Sequence, residues 1–439
     1  MTAEQSVRSY PSAYDLFKKN SVSDVVENGF IEKYYSRNRL DTGKLEFRVE
    51  GTADHMILPS ETYLYMVVEL DGKARRAGGQ ELSILDGAHV GVVNNIMHSM
   101  YSSVDVKLSG QSLTKETKHV AYTALYQTML NNGDDGLDTY MRLAGWCKDT
   151  PEQFDSLERN DGMLKRMSFF HGTEKPRMEL IGKIFHPLFF QEKALPTQVT
   201  MTILMNKADD KFFLMHEEGD FKLNIIEAVL MVQKVQTVPG IQRTFNQMLD
   251  DGHPIPYFLN TPTINFMTME EGSSQFTRDN LFLGKLPRRI MLAMVETEAF
   301  QGRRDKNPFN FQHFGLSEIC LYKDGCPYPR PPIKLDIENG ICAEAYHHFM
   351  TSLNAAYTRW IPAKLTLQEY MHGNTLFSYD TSPDQLGSVH PGSIHGATSN
   401  VRLEMKFKEP LAKNVTLLIY SEEEFLMEIR KDRTVTVNN

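Results

Sequence analysis

Apolar and polar residues alternate with a period of two along much of this chain, and a polypeptide with that pattern buries one face of an extended strand. Over residues 62–70 one face carries Leu64, Met66, Val68 and Leu70. Over 103–108, Val104, Val106 and Leu108 alternate with Ser103, Asp105 and Lys107. Val199, Met201, Ile203 and Met205 alternate over 198–205, and Val401, Leu403, Met405 and Phe407 over 401–408. Each stretch predicts an antiparallel strand with one face on a core and the other on water or a neighbour. Further strands are predicted at 44–49, 178–184, 222–235, 263–269, 289–295, 318–322, 375–379, 415–420, 425–429 and 434–437. Helical spacing is confined to two places. Val120, Ala121, Ala124, Leu125 and Met129 form a stripe over 118–131, and Ile341, Ala345, Phe349 and Leu353 another over 341–353.

The strands and helices come round twice. Asn95, His98, Ser102 and Gly110 align with Asn310, His313, Ser317 and Gly325 at a constant offset of 215, and a helix of similar length follows in each copy. This spacing predicts a duplicated unit of about 200 residues. The two all-β units would join near Val238, Pro239 and Gly240. Three long polar connections, 131–177, 207–220 and 380–399, are expected to stand above the sheets or reach neighbours. The run 326–332, CPYPRPP, is excluded from a central strand because proline has no amide proton to give the ladder.

A chain of 439 residues exceeds one ordinary core, and its 41% hydrophobic and 23% charged residues mark it as globular. The formal net charge is −9, and residues 1–50 balance eight basic side chains with eight acidic ones. A protein that neutralised DNA phosphates would carry a basic patch instead. The four cysteines fit neither a zinc ribbon nor a redox pair, and they are too few for a disulfide scaffold. The start has no apolar signal-peptide core, and no run nears the ~20 apolar residues of a membrane span. A soluble protein made in the cytosol is the expectation.

No constellation points to chemistry. His347 and His348 leave different sides of a helix, and His390 and His395 lie in a Gly/Ser/His-rich loop without a downstream Glu ligand. Cys147 sits between Trp146 and Lys148 but has no His partner pattern. Phosphate-binding glycine loops are absent. Glu422, Glu423 and Glu424 read as a solvated turn. Asn414 opens a glycosylation sequon at a strand entry, where modification is not expected. The 23 methionines mostly fall on the apolar faces and read as core filling. Catalytic, cofactor-binding and metal-binding residues are therefore expected to be none, with no cofactor.

The strongest single segment is 281–313, LFLGKLPRRIMLAMVETEAFQGRRDKNPFNFQH: strand entry, apolar strand, turn and aromatic-rich corner. It resembles the double jelly-roll major capsid proteins of Polinton/Maverick elements and adintovirus-like DNA viruses. Asp15, Leu16 and Phe17, then GKLEFRVEG and ETYLYMVVELDG, resemble that family's opening arm and strand pair. VVNNIMHSMYSSVDVKLSGQSL at 92–113, WCKDT at 146–150, ELIGKIFHPLFFQEK at 179–193, GNTLFSYDTSPD at 373–384 and the closing stretch from Val401 follow in family order. The likeness runs from about residue 14 to 437. The arm departs from the family by lacking its Pro/Gln-rich run.

The resemblance implies an all-β chain of two tandem eight-stranded antiparallel jelly rolls with short helices in the loops. It would divide into an N-terminal arm at 1–40, a first jelly roll at 41–238 and a second at 239–439. It implies no enzymatic activity. The chain would be a structural protein, a major capsid protein whose homotrimeric, pseudo-hexagonal capsomers tile an icosahedral virion shell. Partners would be the chain itself, a penton-type single jelly-roll protein and minor capsid proteins, without specific nucleic acid or a membrane-spanning segment. It would be made in the host cytoplasm and assembled there or in the nucleus. The competing reading is a tandem jelly-roll carbohydrate-binding or glycan-processing protein, and a third is a cupin-type metal enzyme.

Overall fold

The alternating stretches become strands, and the strands pair in one order twice. The computed structural model describes residues 25–75, 81–83, 89–113, 117–132, 134–170, 175–217, 219–282, 286–352, 365–381 and 400–438. The first half holds β1 (Val26–Tyr35), β2 (Lys44–Val49), β3 (His55–Arg75), β4 (Glu81–Ser83), β5 (Val90–Val92), β6 (Tyr101–Leu108), β7 (Gln111–Ser112), β8 (Thr117–Lys118), β9 (Arg177–Gly182), β10 (Met201–Lys207), β11 (Leu214–His216) and β12 (Gly219–Thr237). The second holds β13 (Ile255–Met269), β14 (Gln275–Arg278), β15 (Arg289–Glu296), β16 (Leu316–Lys323), β17 (Cys326–Pro327), β18 (Ile333–Lys334), β19 (Leu376–Asp380), β20 (Val401–Phe407), β21 (Val415–Ile429) and β22 (Val435–Asn438).

In the first half one sheet runs β1-β12-β3, with β9 and β4 also on β3, and the other runs β2-β10-β6, with β7 and β8 on β6. In the second half one sheet runs β13-β21-β15-β19 and the other β14-β20-β16, with β17 and β18 on β16. The correspondence β1/β13, β2/β14, β3/β15, β6/β16, β9/β19, β10/β20 and β12/β21 is complete, and all these pairings are antiparallel. Each half is a jelly roll, and the chain is a double jelly roll. Alternation explains the packing. Leu64, Met66, Val68 and Leu70 of β3 are buried, as are Val104, Val106 and Leu108 of β6. The Tyr101 hydroxyl on β6 reaches Met66 on β3, so the two sheets of the first barrel close on one core. Burying each such aliphatic side chain contributes about 2 kcal/mol.

The aligned residues of the two copies divide by role. Ser102 Oγ on β6 donates to the Asn206 carbonyl at 3.1 Å, and Ser317 Oγ on β16 donates to the Lys406 carbonyl at 2.9 Å. Gly110 and Gly325 have φ of 87° and 86° in two-residue hairpin turns, behind Ser109 at 48° and Asp324 at 52°. Two consecutive positive φ values match the twist of a tight hairpin, which is why glycine recurs there. The other two pairs share identity without role. Asn95 adopts φ 55° ahead of a short helix, whereas Asn310 does not. His98 is buried against Phe185, whereas His313 Nδ1 accepts the Gly315 N–H.

Four expectations change. Residues 26–35, placed in an N-terminal arm, form β1 on the edge of the first sheet. Residues 415–420 and 425–429 are one strand, β21, so Glu422 to Glu424 lie within a sheet and not in a solvated turn. Arg289 on β15 stands opposite Glu422 at 3.5 Å, and Arg288 pairs with Glu424. The connection 131–177 folds inward and buries Trp146, Phe154, Met163 and Phe170. Both helices appear, at Val120–Asn131 and Ala343–Ser352. The first is buried on nearly every side, with Tyr122 and Tyr126 as covered as the expected stripe. A helix apolar all round belongs inside a protein, and this one lies between two barrels.

Candidate assembly interface

Helix Val120–Asn131 follows β8 and ends the first barrel's side of a seam with the second. Its two tyrosines are one turn apart, so both face the same neighbour. Tyr126 meets Tyr420 of β21 edge-on at 5.5 Å and stacks on Phe311 at 5.6 Å. Tyr122 stacks on Phe300 at 5.9 Å and meets Phe309 edge-on at 5.6 Å. His119, just before the helix, touches Phe266 and Phe300. The aromatic corner singled out in the sequence is therefore the second barrel's half of this seam. Burial pushes the hydroxyls of Tyr122, Tyr126 and Tyr420 far above the ordinary tyrosine range, so all three are neutral.

Polar contacts stitch the seam's margin. The Asn307 N–H donates to Asp155 Oδ1 at 2.7 Å, and Asn307 Nδ2 donates to the Phe154 carbonyl at 3.2 Å. Burial raises the Asp155 carboxyl against the opposing pull of Asn307 and Lys306. Lys148 pairs with Glu369 at 2.8 Å, and Tyr257 donates to the Ala194 carbonyl at 2.7 Å. Gly373 has φ 113°, and a Cβ there would fall 2.2 Å from the Phe154 ring. The two barrels approach too closely at that point for any side chain.

The segment that carries Phe154 and Asp155 to the seam is held from beneath by Arg166. Its guanidinium is fully buried and donates to the carbonyls of Val92 at 2.8 Å and Cys147 at 2.6 Å, and to Asp149 Oδ1 at 2.6 Å. Asn160 Nδ2 adds a 2.8 Å bond to the same carboxylate. A buried charge is tolerable only with such a full set of partners.

A cavity of about 40 Å³ opens at the seam, lined by Trp146, Asp149, Phe309 and Asn374 among others. It has room for a few waters and none for a sugar ring. Among the described residues no group of three or more His, Cys, Asp or Glu is placed to hold a metal ion, and no helix is long and apolar enough to cross a membrane. His347 and His348 sit 5.8 Å apart on their helix, while His390 and His395 fall outside the described residues. Cys147 is buried, and that burial, named first among its influences, raises its thiol pKa. Trp146 is buried and offers no platform for a sugar; Trp360 falls outside the described residues. Thr416 of the sequon is buried in β21, and Asn414 Oδ1 accepts the Glu271 N–H. The sequence reading did not single out Tyr122, Tyr126 or Arg166. The i, i+4 tyrosine spacing was the available signal for the first two.

Exposed apolar side chains gather elsewhere. On β1, Ile31 is 62% and Tyr35 64% exposed, and Ile341, ahead of the second helix, is 63% exposed. Lys234, itself buried, ties β1 down through Glu32 at 2.8 Å and the Tyr34 hydroxyl at 2.6 Å. Burial works against that charge, but the two partners outweigh it and raise the lysine's pKa.

No protein-family model matches the chain. It is 22% identical over 334 residues to the uncharacterized protein F54H12.2 of Caenorhabditis elegans, covering 75% of this chain and 77% of that one. Among solved structures, a chain of the Sputnik virophage superposes with a TM-score of 0.69 at 9% identity, covering 99% of this chain and 93% of its own. The mavirus major capsid protein superposes with a TM-score of 0.53 at 9% identity, covering 100% and 96%. At such low identity the likeness speaks to architecture, and the architecture is the double jelly roll that the strand order of this chain already spells out.

Proposed function

We propose that this chain is a capsid tile: a major capsid protein that self-assembles and performs no catalysis. The observation that carries the reading is the duplication of one barrel, strand for strand, with the copies locked side by side by a dry aromatic seam. Two like barrels per chain let a threefold assembly present six similar faces, which a pseudo-hexagonal tile requires. We take the first barrel to span 41–238 and the second 239–439, behind an arm at 1–40 whose last residues supply β1. The likeness to the mavirus major capsid protein supports the reading, and the sequence resemblance to capsid proteins of Polinton/Maverick elements and adintovirus-like viruses narrows it. Homotrimeric capsomers, an icosahedral shell, a penton-type partner and minor capsid proteins belong to this proposal, as does a place in the virion. Negative-stain imaging of the purified protein tests it. Three-lobed or hexagonal particles of uniform size are expected. Isolated two-barrel particles under all conditions, or monomers that bind glycans, would overturn it.

A further inference from the structure

The corresponding sheets of the two barrels differ in what lies on their outer faces. On the second barrel's sheet, Tyr420 of β21 stands between Ile264 of β13 and Met291 of β15. Tyr420 lies beneath Tyr126 of the first barrel's helix, and Met291, Ala293 and Leu418 on the same face are buried. On the first barrel's sheet, the register sets Tyr35, Val229, Tyr65 and Ile181 in a row across β1, β12, β3 and β9. The adjacent row is Lys33, Met231 and Tyr63. Val229 is buried between its neighbours, but Tyr65, Ile181, Met231 and Tyr63 are only half-buried and Tyr35 is 64% exposed.

We propose that this open face is a docking surface for a second copy of the chain, which lays the helix side of its second barrel on it. The inference deepens the tile reading and rests on it. The seam within one chain joins the helix side of barrel one to the sheet face of barrel two. Both barrels have one strand order, so each has a helix side and a sheet face. One head-to-tail seam leaves the sheet face of barrel one and the helix side of barrel two without a mate. Repeating the same contact between chains pairs them, and a head-to-tail contact that closes makes a ring. The helix side offered by the neighbour is Ala343–Ser352, entered by the 63% exposed Ile341 and bearing the exposed His347. Aromatic and aliphatic residues ringed by Lys33 and Glu179 fit an interface with an apolar centre and a polar rim.

The test has two arms. In the first, Ile31→Glu and Tyr35→Glu are combined; both side chains are exposed, so the barrel's melting temperature serves as a check on folding. Light scattering is expected to show an oligomer for the parent chain and a monomer for the folded double variant, with at least a ten-fold weaker association. In the second, Tyr35→Cys and Ile341→Cys are made separately in a Cys326→Ser background, mixed, and treated with a short bis-maleimide. Crosslinked pairs are expected from the mixture and not from either protein alone. An oligomer that survives the double substitution and gives no crosslink overturns this surface and leaves the tile reading standing. Crosslinks within the Tyr35→Cys protein alone overturn the head-to-tail sense. A parent chain that stays monomeric overturns both.

Discussion

Replacing Arg166 with methionine removes three donors from a place without water. The Val92 and Cys147 carbonyls and the Asp149 carboxylate lose bonds of 2.8, 2.6 and 2.6 Å, and Asp149 keeps only Asn160. Breaking a buried ion pair from one side costs about 3–5 kcal/mol, because the remaining charge is buried without compensation. Methionine roughly fills the volume, so the loss is electrostatic and not a cavity effect. Urea unfolding followed by tryptophan fluorescence reads it, with Trp146 one residue from Cys147 as a local probe. With an m-value at or above roughly 3 kcal/mol/M, the midpoint falls by about 1 M. Pairing Arg166→Met with Asp149→Leu recovers more than half of the loss, since both charges are then gone. A loss under about 1 kcal/mol, or a double variant no better than the single, refutes the claim that this ion pair holds the seam segment in place.

Three further outcomes follow from the geometry. Burial pushes His98 and His186 down to about 3, below the unfolded value near 6.5, so the unfolded chain binds more protons between those limits. Stability is then fully present above pH 6.5 and drains as pH falls toward 3, by about 2 kcal/mol per histidine by pH 5; melts of His98→Gln should show a shallower decline. Gly373→Ala adds a Cβ against Phe154 and strains a φ of 113°, for a loss of about 2–4 kcal/mol in thermal unfolding, and an unchanged melt would contradict the close approach. Lys234→Met frees Glu32 and Tyr34, and because Glu32 is half-exposed the loss is only about 1 kcal/mol. Amide exchange in β1 should quicken about five-fold while β3 keeps its protection.

Much of this fold was legible because alternation records a core on one side and something else on the other. β3, β6, β10 and β20 were read that way, and the two-residue hairpin turns marked by Gly110 and Gly325 exposed the duplication. What alternation could not register was anything set by a distant partner. Glu422 to Glu424 look like a turn until Arg288 and Arg289 are placed across the ladder. β1 shows no alternation because most of its side chains are exposed on both faces, and its place depends on β12 and Lys234. Trp146, Phe154 and Phe170 have no common period, since the segment that carries them packs as an irregular plug. Helix Val120–Asn131 displayed one apolar stripe, and the burial of Tyr122 and Tyr126 on its other side becomes intelligible only with a second barrel against it. The seam was therefore half visible, as an aromatic corner at 300–311 lacking its counterpart.

The most direct test of the whole account is the mass of the native assembly. Native mass spectrometry of the intact chain near neutral pH and moderate salt should find three chains per particle, with no stable single chain at micromolar concentration. A particle of one chain that persists as concentration rises would contradict the claim that the open barrel flanks exist to be covered by further copies.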